Sequence, residues 1–321
     1  MDSTFKKRAL RIVFMGTPDF AVAGLSSLMD HGHQVVGVVT APDKPAGRGR
    51  KLTQSAVKRF AITKDLPVLQ PINLKDEAFL HALAALGANL FVVVAFRMLP
   101  RVVWEMPEFG TFNLHASLLP QYRGAAPINW AIINGEMKTG VTTFFIDEQI
   151  DTGAIILQKE TPISETDTAG SLHDRLMILG ADAILETVSA IANGNINTLD
   201  QPSIDDLKKA PKIFKEDCQI DWSLPMNMIS AFIRGLSPYP TAWTTFYNGG
   251  DKAILKVFEA ISVPETHNFP VGKIFATKEQ MNIACKNGFI RPLVAQLPGK
   301  RKMAIKDILN GLSIESDAYV G

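Results

Sequence analysis

Leu90-Phe91-Val92-Val93-Val94-Ala95-Phe96 is an unbroken apolar run, rich in β-branched residues. A strand with one wet face alternates apolar and polar side chains. A run without alternation therefore predicts a strand buried on both faces, as in parallel sheets covered by helices. Upstream, Arg11–Met15 reads as a strand ending at Gly16, and Pro18 opens a helix whose apolar residues recur through Met29. Proline suits a first helical turn, where its missing N–H costs nothing. Val35–Thr40 is a second strand, Val57–Lys64 a helical pattern, Val68-Leu69 a short strand, and Glu77–Leu86 a helix closed by Gly87. Downstream, Thr111–Ser117 and Val141–Ile146 add two more strands. Strands alternating with helices predict βαβ units and an α/β fold with a mostly parallel sheet.

The pattern then changes. Thr168 to Asn193 reads as one long helix, with Thr168 as N-cap and Gly194 after its last periodic residue. Polar residues and Pro202 follow, predicting a linker over 195–211 between a first domain of 1–194 and a second of 212–321. In the second, Ala253–Phe258, Lys273–Ala276, Asn282–Ala284 and Leu293–Gln296 are strand-like runs parted by Gly, Pro and Asn, an all-β signature that suggests a small barrel.

Composition bounds the function. With 321 residues, 46% of them hydrophobic, the chain can bury two cores. Its 33 basic and 32 acidic side chains nearly cancel, so any nucleic-acid contact must come from local basic patches. Cys218 and Cys285 lack CxxC spacing and read as buried reduced thiols. Lys6-Lys7-Arg8 before an apolar stretch imitates a signal peptide, but that stretch ends at Gly16-Thr17-Pro18-Asp19 without a small-residue cleavage pattern. No uninterrupted apolar run approaches the roughly 18 residues that span a bilayer. The expectation is a soluble cytoplasmic protein with no membrane partner. His31 and His33 lack further ligands, so no metal is expected.

Four segments bear chemistry. Asn113-Leu114-His115-Ala116-Ser117 sits at a strand end, where alternate residues Asn113, His115 and Ser117 can face one cavity. Ligands of open α/β sheets bind outside the carboxyl ends of strands. Asn can stabilise an oxyanion, and His can do so or move a proton; three polar residues on one face are as often structural. Asp151-Thr152-Gly153 reads on spacing alone as an Asx turn, in which Asp caps its own backbone. The alternative is a carboxylate that orients His115. Pro120 to Pro127 carries Arg123, able to bind a carboxylate or phosphate, and Gly124, which permits close backbone approach; the plain alternative is an ordinary connection into a helix. Ala41 to Lys51 places Lys44, Arg48, Arg50 and Lys51 among glycines and prolines. Such a loop suits an RNA backbone, or is simply solvated surface. Gly16-Thr17-Pro18-Asp19 lacks GxGxxG, and there is no Walker motif, which sets aside a nucleotide-dependent dehydrogenase or NTPase.

Together these segments resemble the methionyl-tRNA formyltransferase family over nearly the whole chain. The resemblance is carried by Phe14 to Phe20, by Pro42 to Lys51, by FNLHASLLPQYRGAAP from Phe112 to Pro127, by Gly140-Val141-Thr142 and by Asp151-Thr152-Gly153. It continues through Ala210-Pro211-Lys212-Ile213, Ile220-Asp221-Trp222, Ile233-Arg234, Ser237-Pro238-Tyr239-Pro240 and Gln296 to Lys300. It implies a Rossmann-like catalytic domain joined to a C-terminal OB-like, tRNA-binding barrel. It implies formyl transfer from 10-formyltetrahydrofolate to the amine of initiator methionyl-tRNA by a monomer that needs no metal. The implied catalytic residues are Asn113, His115 and Asp151. Ser117, Leu118, Leu119 and Pro120 are assigned to folate, and Lys44, Arg48, Arg50 and Lys51 to tRNA, with Phe20 near that loop. Two positions depart from the family pattern, Phe96-Arg97 in place of Tyr-Gly and Gln149 in place of Gly; both border the expected folate pocket. Two rivals remain. One is a formyltransferase or hydrolase acting on a small amine, a sugar nucleotide or water; the other is a non-catalytic RNA-binding protein.

Overall fold

The structure is a computed structural model that describes residues 8–46 and 51–321. Its first half runs β1 (Arg11–Gly16), α1 (Asp19–Asp30), β2 (Gln34–Val39), β3 (Lys44–Ala46), β4 (Lys51–Thr53), α2 (Ala56–Thr63), β5 (Val68–Leu69), α3 (Glu77–Ala85), β6 (Leu90–Val94) and α4 (Arg101–Trp104). It continues through β7 (Thr111–His115), β8 (Arg123–Gly124), α5 (Pro127–Ile133), β9 (Lys138–Phe145), β10 (Ile155–Pro162) and α6 (Ala169–Asn193). The main sheet has the order β10-β9-β7-β6-β1-β2-β5. The five strands from β7 to β5 pair in parallel, and β9 is antiparallel to β7. Every residue of β6 is buried, the outcome its unalternating sequence predicts.

The chain adds strands on one side of β1 through β2 and β5, then crosses to add β6 and β7 on the other. This reversal is the place where open α/β sheets form their ligand crevice. At the carboxyl end of β1, a Cβ on Gly16 would lie 2.6 Å from the Ala21 Cβ and 3.0 Å from the Val94 carbonyl oxygen. Glycine there lets α1 start hard against the strand. Pro18 stands one position earlier than expected, as the N-cap residue of α1.

By length and composition α6 is the one helix among the described residues that could cross a membrane. It nevertheless buries Leu176, Ala183, Ile184, Val188 and Ile191 at helical spacing, as a core helix does. Its apolar character is interrupted by Asp174, Arg175, Asp182 and Glu186.

The second half contains β11 (Lys209–Ala210), a short 3-10 turn at Glu216–Cys218, α7 (Met226–Leu236), β12 (Ala242–Asn248), β13 (Asp251–Pro264), β14 (Ile274–Ala276), β15 (Met281–Cys285) and β16 (Gly288–Gln296). It ends with β17 (Met303–Ala304), α8 (Ile305–Asn310) and β18 (Tyr319–Val320). The strand order is β14-β15-β16-β13-β12-β18 with antiparallel neighbours, and β17 lies on β16. The two edges meet through a bridge between Lys273 and Tyr319, and the Ile274 N–H donates to the Ala318 carbonyl at 3.2 Å. The sheet thus curls into a nearly closed barrel, which leaves few free edges. Its core gathers Trp222, Phe246, Leu255, Val257, Ile283 and Ile290. Helix α7 joins it through Ile229, Ile233 and Leu236, so this half is a barrel with helices rather than strands alone. Cys218 and Cys285 are free and buried here, and burial pushes both thiols up.

Two compact units result, interleaved along the chain. One holds the described residues up to Gly124, then Thr139–Thr161 and His173–Lys209; the other holds Ala125–Lys138, Pro162–Leu172 and Ala210–Gly321. The sequence suggests a single passage near 195–211. The difference arises because α5 packs on α7, where the Asn129 amide donates to the Gly235 carbonyl at 2.8 Å. Most of the segment expected as a linker is part of the first unit.

Candidate active site

β7 carries Asn113 and His115 to the carboxyl end of the sheet, on the same strand face. Asn113 is half-buried, and its amide makes no hydrogen bond to any described residue, so both N–H groups are available to a ligand. His115 is buried; its Nε2 lies 2.8 Å from the Tyr122 carbonyl oxygen. A carbonyl only accepts, so Nε2 carries the proton and donates. Nδ1 faces the Asp151 carboxylate, 3.7 Å from Oδ2, with side-chain exposures of 8% and 14% for the pair.

Asp151 is therefore close enough to act electrostatically on the imidazole, yet the direct orienting hydrogen bond comes from Tyr122. Its Oδ2 accepts from the Gly124 N–H at 2.9 Å. The backbone turn is capped by a different residue: Asp147 Oδ1 accepts from the Gln149 N–H at 2.9 Å and the Thr152 hydroxyl at 2.7 Å. Asp147 is the Asx-turn residue, so the Asp151 carboxylate is not spent on capping the turn. Asp151 itself has φ of 57°, the left-handed region that few non-glycine residues occupy. Gly153 completes the turn. A Cβ there would fall 1.7 Å from the Phe145 carbonyl oxygen, so no other residue fits.

The loop after β7 is pinned along its length. The buried Ser117 hydroxyl donates to the Gln121 carbonyl at 2.7 Å, and Thr142 Oγ1 donates to the Ser117 carbonyl at 2.6 Å. Thr142 Oγ1 also accepts from the Leu119 N–H at 3.1 Å, and Gln158 Nε2 donates to the Leu119 carbonyl at 2.9 Å. Leu119 packs with Phe144 and Ile155. Of the four residues expected at folate, Ser117 and Leu119 thus spend their side chains inside the protein. Leu118 remains partly exposed, and Pro120 is buried. Arg123, for which an anion ligand is one of two readings, donates to Gln201 Oε1 through Nε at 3.1 Å and Nη2 at 2.6 Å.

The departures from the family pattern have simple local roles. Arg97 donates to the carbonyls of Ile72, at 2.8 Å, and Pro71, tying two loops at this end of the sheet. Gln149 contributes only its backbone N–H to the Asx turn. Phe20 packs edge-on against His173, with ring centroids 5.2 Å apart.

At the basic segment, Lys44 starts β3 and Lys51 starts β4, strands paired in antiparallel register from Lys44 opposite Thr53. Arg48 and Arg50 lie outside the described residues. The segment's root is fixed: Asp43 accepts from Lys58 Nζ at 2.6 Å and Gln70 Nε2 at 2.8 Å, which hold its carboxyl below the ordinary value. No group of three His, Cys, Asp or Glu side chains suited to a metal exists among the described residues.

Comparison with known proteins decides the family. Residues 10–188 match the formyl transferase model, and residues 212–313 match the formyl transferase C-terminal domain. A methionyl-tRNA formyltransferase of Flavobacterium johnsoniae is 55% identical over 97% of this chain and 99% of its own. The chain belongs to the methionyl-tRNA formyltransferase family. The Bacteroides thetaiotaomicron member is 52% identical over 98% of this chain and 99% of its own. Among solved structures, an N-formyltransferase of Helicobacter canadensis with folinic acid and dTDP-3-aminofucose superposes with a TM-score of 0.63. It is 20% identical, with 90% of this chain and 99% of that one covered. HypX of Aquifex aeolicus with tetrahydrofolic acid gives 0.64 at 17% identity, covering 94% of this chain and 47% of that one. At such identities these two share the fold of the family, while the near relatives share its sequence.

Proposed function

We propose that the protein transfers the formyl group of 10-formyltetrahydrofolate to the α-amine of methionine esterified to initiator tRNA. One observation carries this reading: the Asn113 amide has no partner among the described residues, on the same strand face as a His115 whose second nitrogen faces a carboxylate. The folate supplies the formyl carbon and departs as the secondary amine of tetrahydrofolate. Asn113 donates to the formyl oxygen as the attacking amine pushes negative charge onto it, the oxyanion-hole role. His115 has Nε2 committed to Tyr122, so Nδ1 is its working nitrogen; protonated there, it donates to the same oxygen. Asp151 balances that imidazolium charge. It also helps route the proton that the amine loses, through an ordered water, to the leaving nitrogen.

Lys44, Arg48, Arg50 and Lys51 are assigned to the tRNA phosphates near the acceptor end, and the barrel of 212–321 to a second contact on the same tRNA. Ser117 to Pro120 form one wall for folate, chiefly through backbone and Leu118. The protein acts in the cytoplasm, as a monomer and without a metal.

The test is direct. The protein is mixed with 10-formyltetrahydrofolate and methionyl-tRNA, initiator against elongator, and formylmethionine is scored. Strong preference for initiator is expected. Transfer to a nucleotide-linked amino sugar but not to methionyl-tRNA would overturn the substrate. Full turnover by a folded Asp151→Asn variant would overturn the carboxylate's role.

A further inference from the structure

Gln201 lies in the polar stretch whose sequence reads as a linker, yet its side chain is fully used. Nε2 donates to the carbonyls of Asp151 and Gly153, both at 2.9 Å. Oε1 accepts both Arg123 bonds, at 3.1 and 2.6 Å. A primary amide has two donors and room for two on its oxygen, so nothing is left over.

These bonds close a ring. Gln201 holds the Asp151 carbonyl on one side and Arg123 on the other. The next residue, Gly124, gives its N–H to the Asp151 carboxylate at 2.9 Å. The ring thus fixes both ends of Asp151, backbone and carboxylate, in a left-handed conformation (φ 57°). The segment around Gln201 is anchored as well. Leu199 exchanges two backbone hydrogen bonds with Ile155, at 2.8 and 2.9 Å. Further along, the Lys208 carbonyl accepts from the Tyr122 N–H at 2.7 Å, and the Tyr122 carbonyl is the partner of His115. Residues 199–208 therefore brace both members of the His115–Asp151 pair from behind.

We propose that Gln201 is a positioning residue for the transfer reaction, acting through Asp151. This rests on the reading of Asp151 as catalytic. Glutamine is required because a carboxylate of the same size would keep Arg123 but turn an acceptor toward two carbonyls.

The experiment is a double-mutant cycle on the full chain with 10-formyltetrahydrofolate and initiator methionyl-tRNA. The variants are Gln201→Ala, Gln201→Glu, Asp151→Asn and the Ala/Asn double, each checked for folding by thermal melting. Gln201→Glu conserves volume and keeps the test open if Gln201→Ala melts early. The expected result is a kcat loss of about 10- to 100-fold for either Gln201 variant, with KM for both substrates nearly unchanged. In the Asp151→Asn background the Ala substitution should add nothing, because the group it positions is already disabled. A parental kcat, a loss carried by KM, or full additivity with Asp151→Asn overturns the role of Gln201 and leaves Asp151 standing. An active Asp151→Asn enzyme overturns the reading beneath both.

Discussion

Two loops leave the carboxyl ends of strands in one sheet, after β2 and after β7, and their described anchors differ in placement. The loop after β7 is pinned at nearly every step, by Thr142, Gln158, Gln121 and Lys208. The segment after β2 has its described anchors at its root. Gln70 holds the Ala41 carbonyl, Lys58 and Gln70 hold Asp43, and the Thr40 hydroxyl meets that of Ser55 at 2.7 Å. Past that root Lys44, Pro45 and Leu52 are exposed. The contrast follows from the tasks proposed for them. Stabilising charge on one oxygen needs donors fixed to a fraction of an ångström. Gripping a phosphate chain by charge needs a firm base and reach.

The contrast can be broken most forcefully at Asn113. Asn113→Ala should lower kcat by about 10²–10³ while KM for tRNA stays put, as for loss of one oxyanion donor; steady-state kinetics at saturating folate reads this. Gly153→Ala tests the rigidity of the same site. With a Cβ 1.7 Å from a carbonyl oxygen it should destabilise the fold by about 3 kcal/mol, seen as a lower urea midpoint. Arg48→Ala should act on the other loop alone, raising KM for initiator tRNA about tenfold and leaving folate binding unchanged by equilibrium titration. Equal loss of both would mean the two loops are not separate in function.

The smallest effect is expected at the root. Asp43→Asn should weaken tRNA binding about two- to threefold at neutral pH, since the ion pair with Lys58 is partly exposed. The Asp43 carboxyl is lowered in the folded protein, chiefly by its bond from Lys58 and then by Gln70. Its contribution is therefore present above the ordinary carboxylate range and lost as pH falls through the depressed value. Stepping the pH down in a filter-binding assay should bring the parent toward the variant only in acid.

Much of this was legible from residues alone. The Leu90–Phe96 run announced a doubly buried strand, which forms over Leu90–Val94 and stops before the exposed Ala95, and the alternation along Asn113 and His115 announced a shared face. The role proposed for Asp151 was not, because Asp147 and Asp151 sit in the same turn with the same chemistry. The bonds Asp147 accepts within the turn, and the Gly124 N–H brought to Asp151 from a distant segment, separate the capping residue from the other. β10 carries no clear strand signal because Gln158-Lys159-Glu160 breaks its apolar pattern. β13 runs for 14 residues but reads as six, since register shifts around Glu259 interrupt the alternation. Ile229, Ile233 and Leu236 carry a helical period in α7 that nearby proline and glycine obscure. Gln201 gave no signal at all: a glutamine in a polar stretch looks the same whether it faces water or closes a ring.

The interleaving of the two units bears on inheritance. The chain leaves the sheet-bearing unit after Gly124, re-enters at Thr139, leaves after Thr161 and returns at His173 before the barrel begins. No single crossover between two genes could exchange the barrel and keep both halves whole. A recombinant joined near residue 194 would also part Gln201 from the turn it grips. Swapping the barrel for an unrelated module would require the replacement to accept α5 and the start of α6, so the two units are expected to diverge as one lineage rather than as interchangeable cassettes.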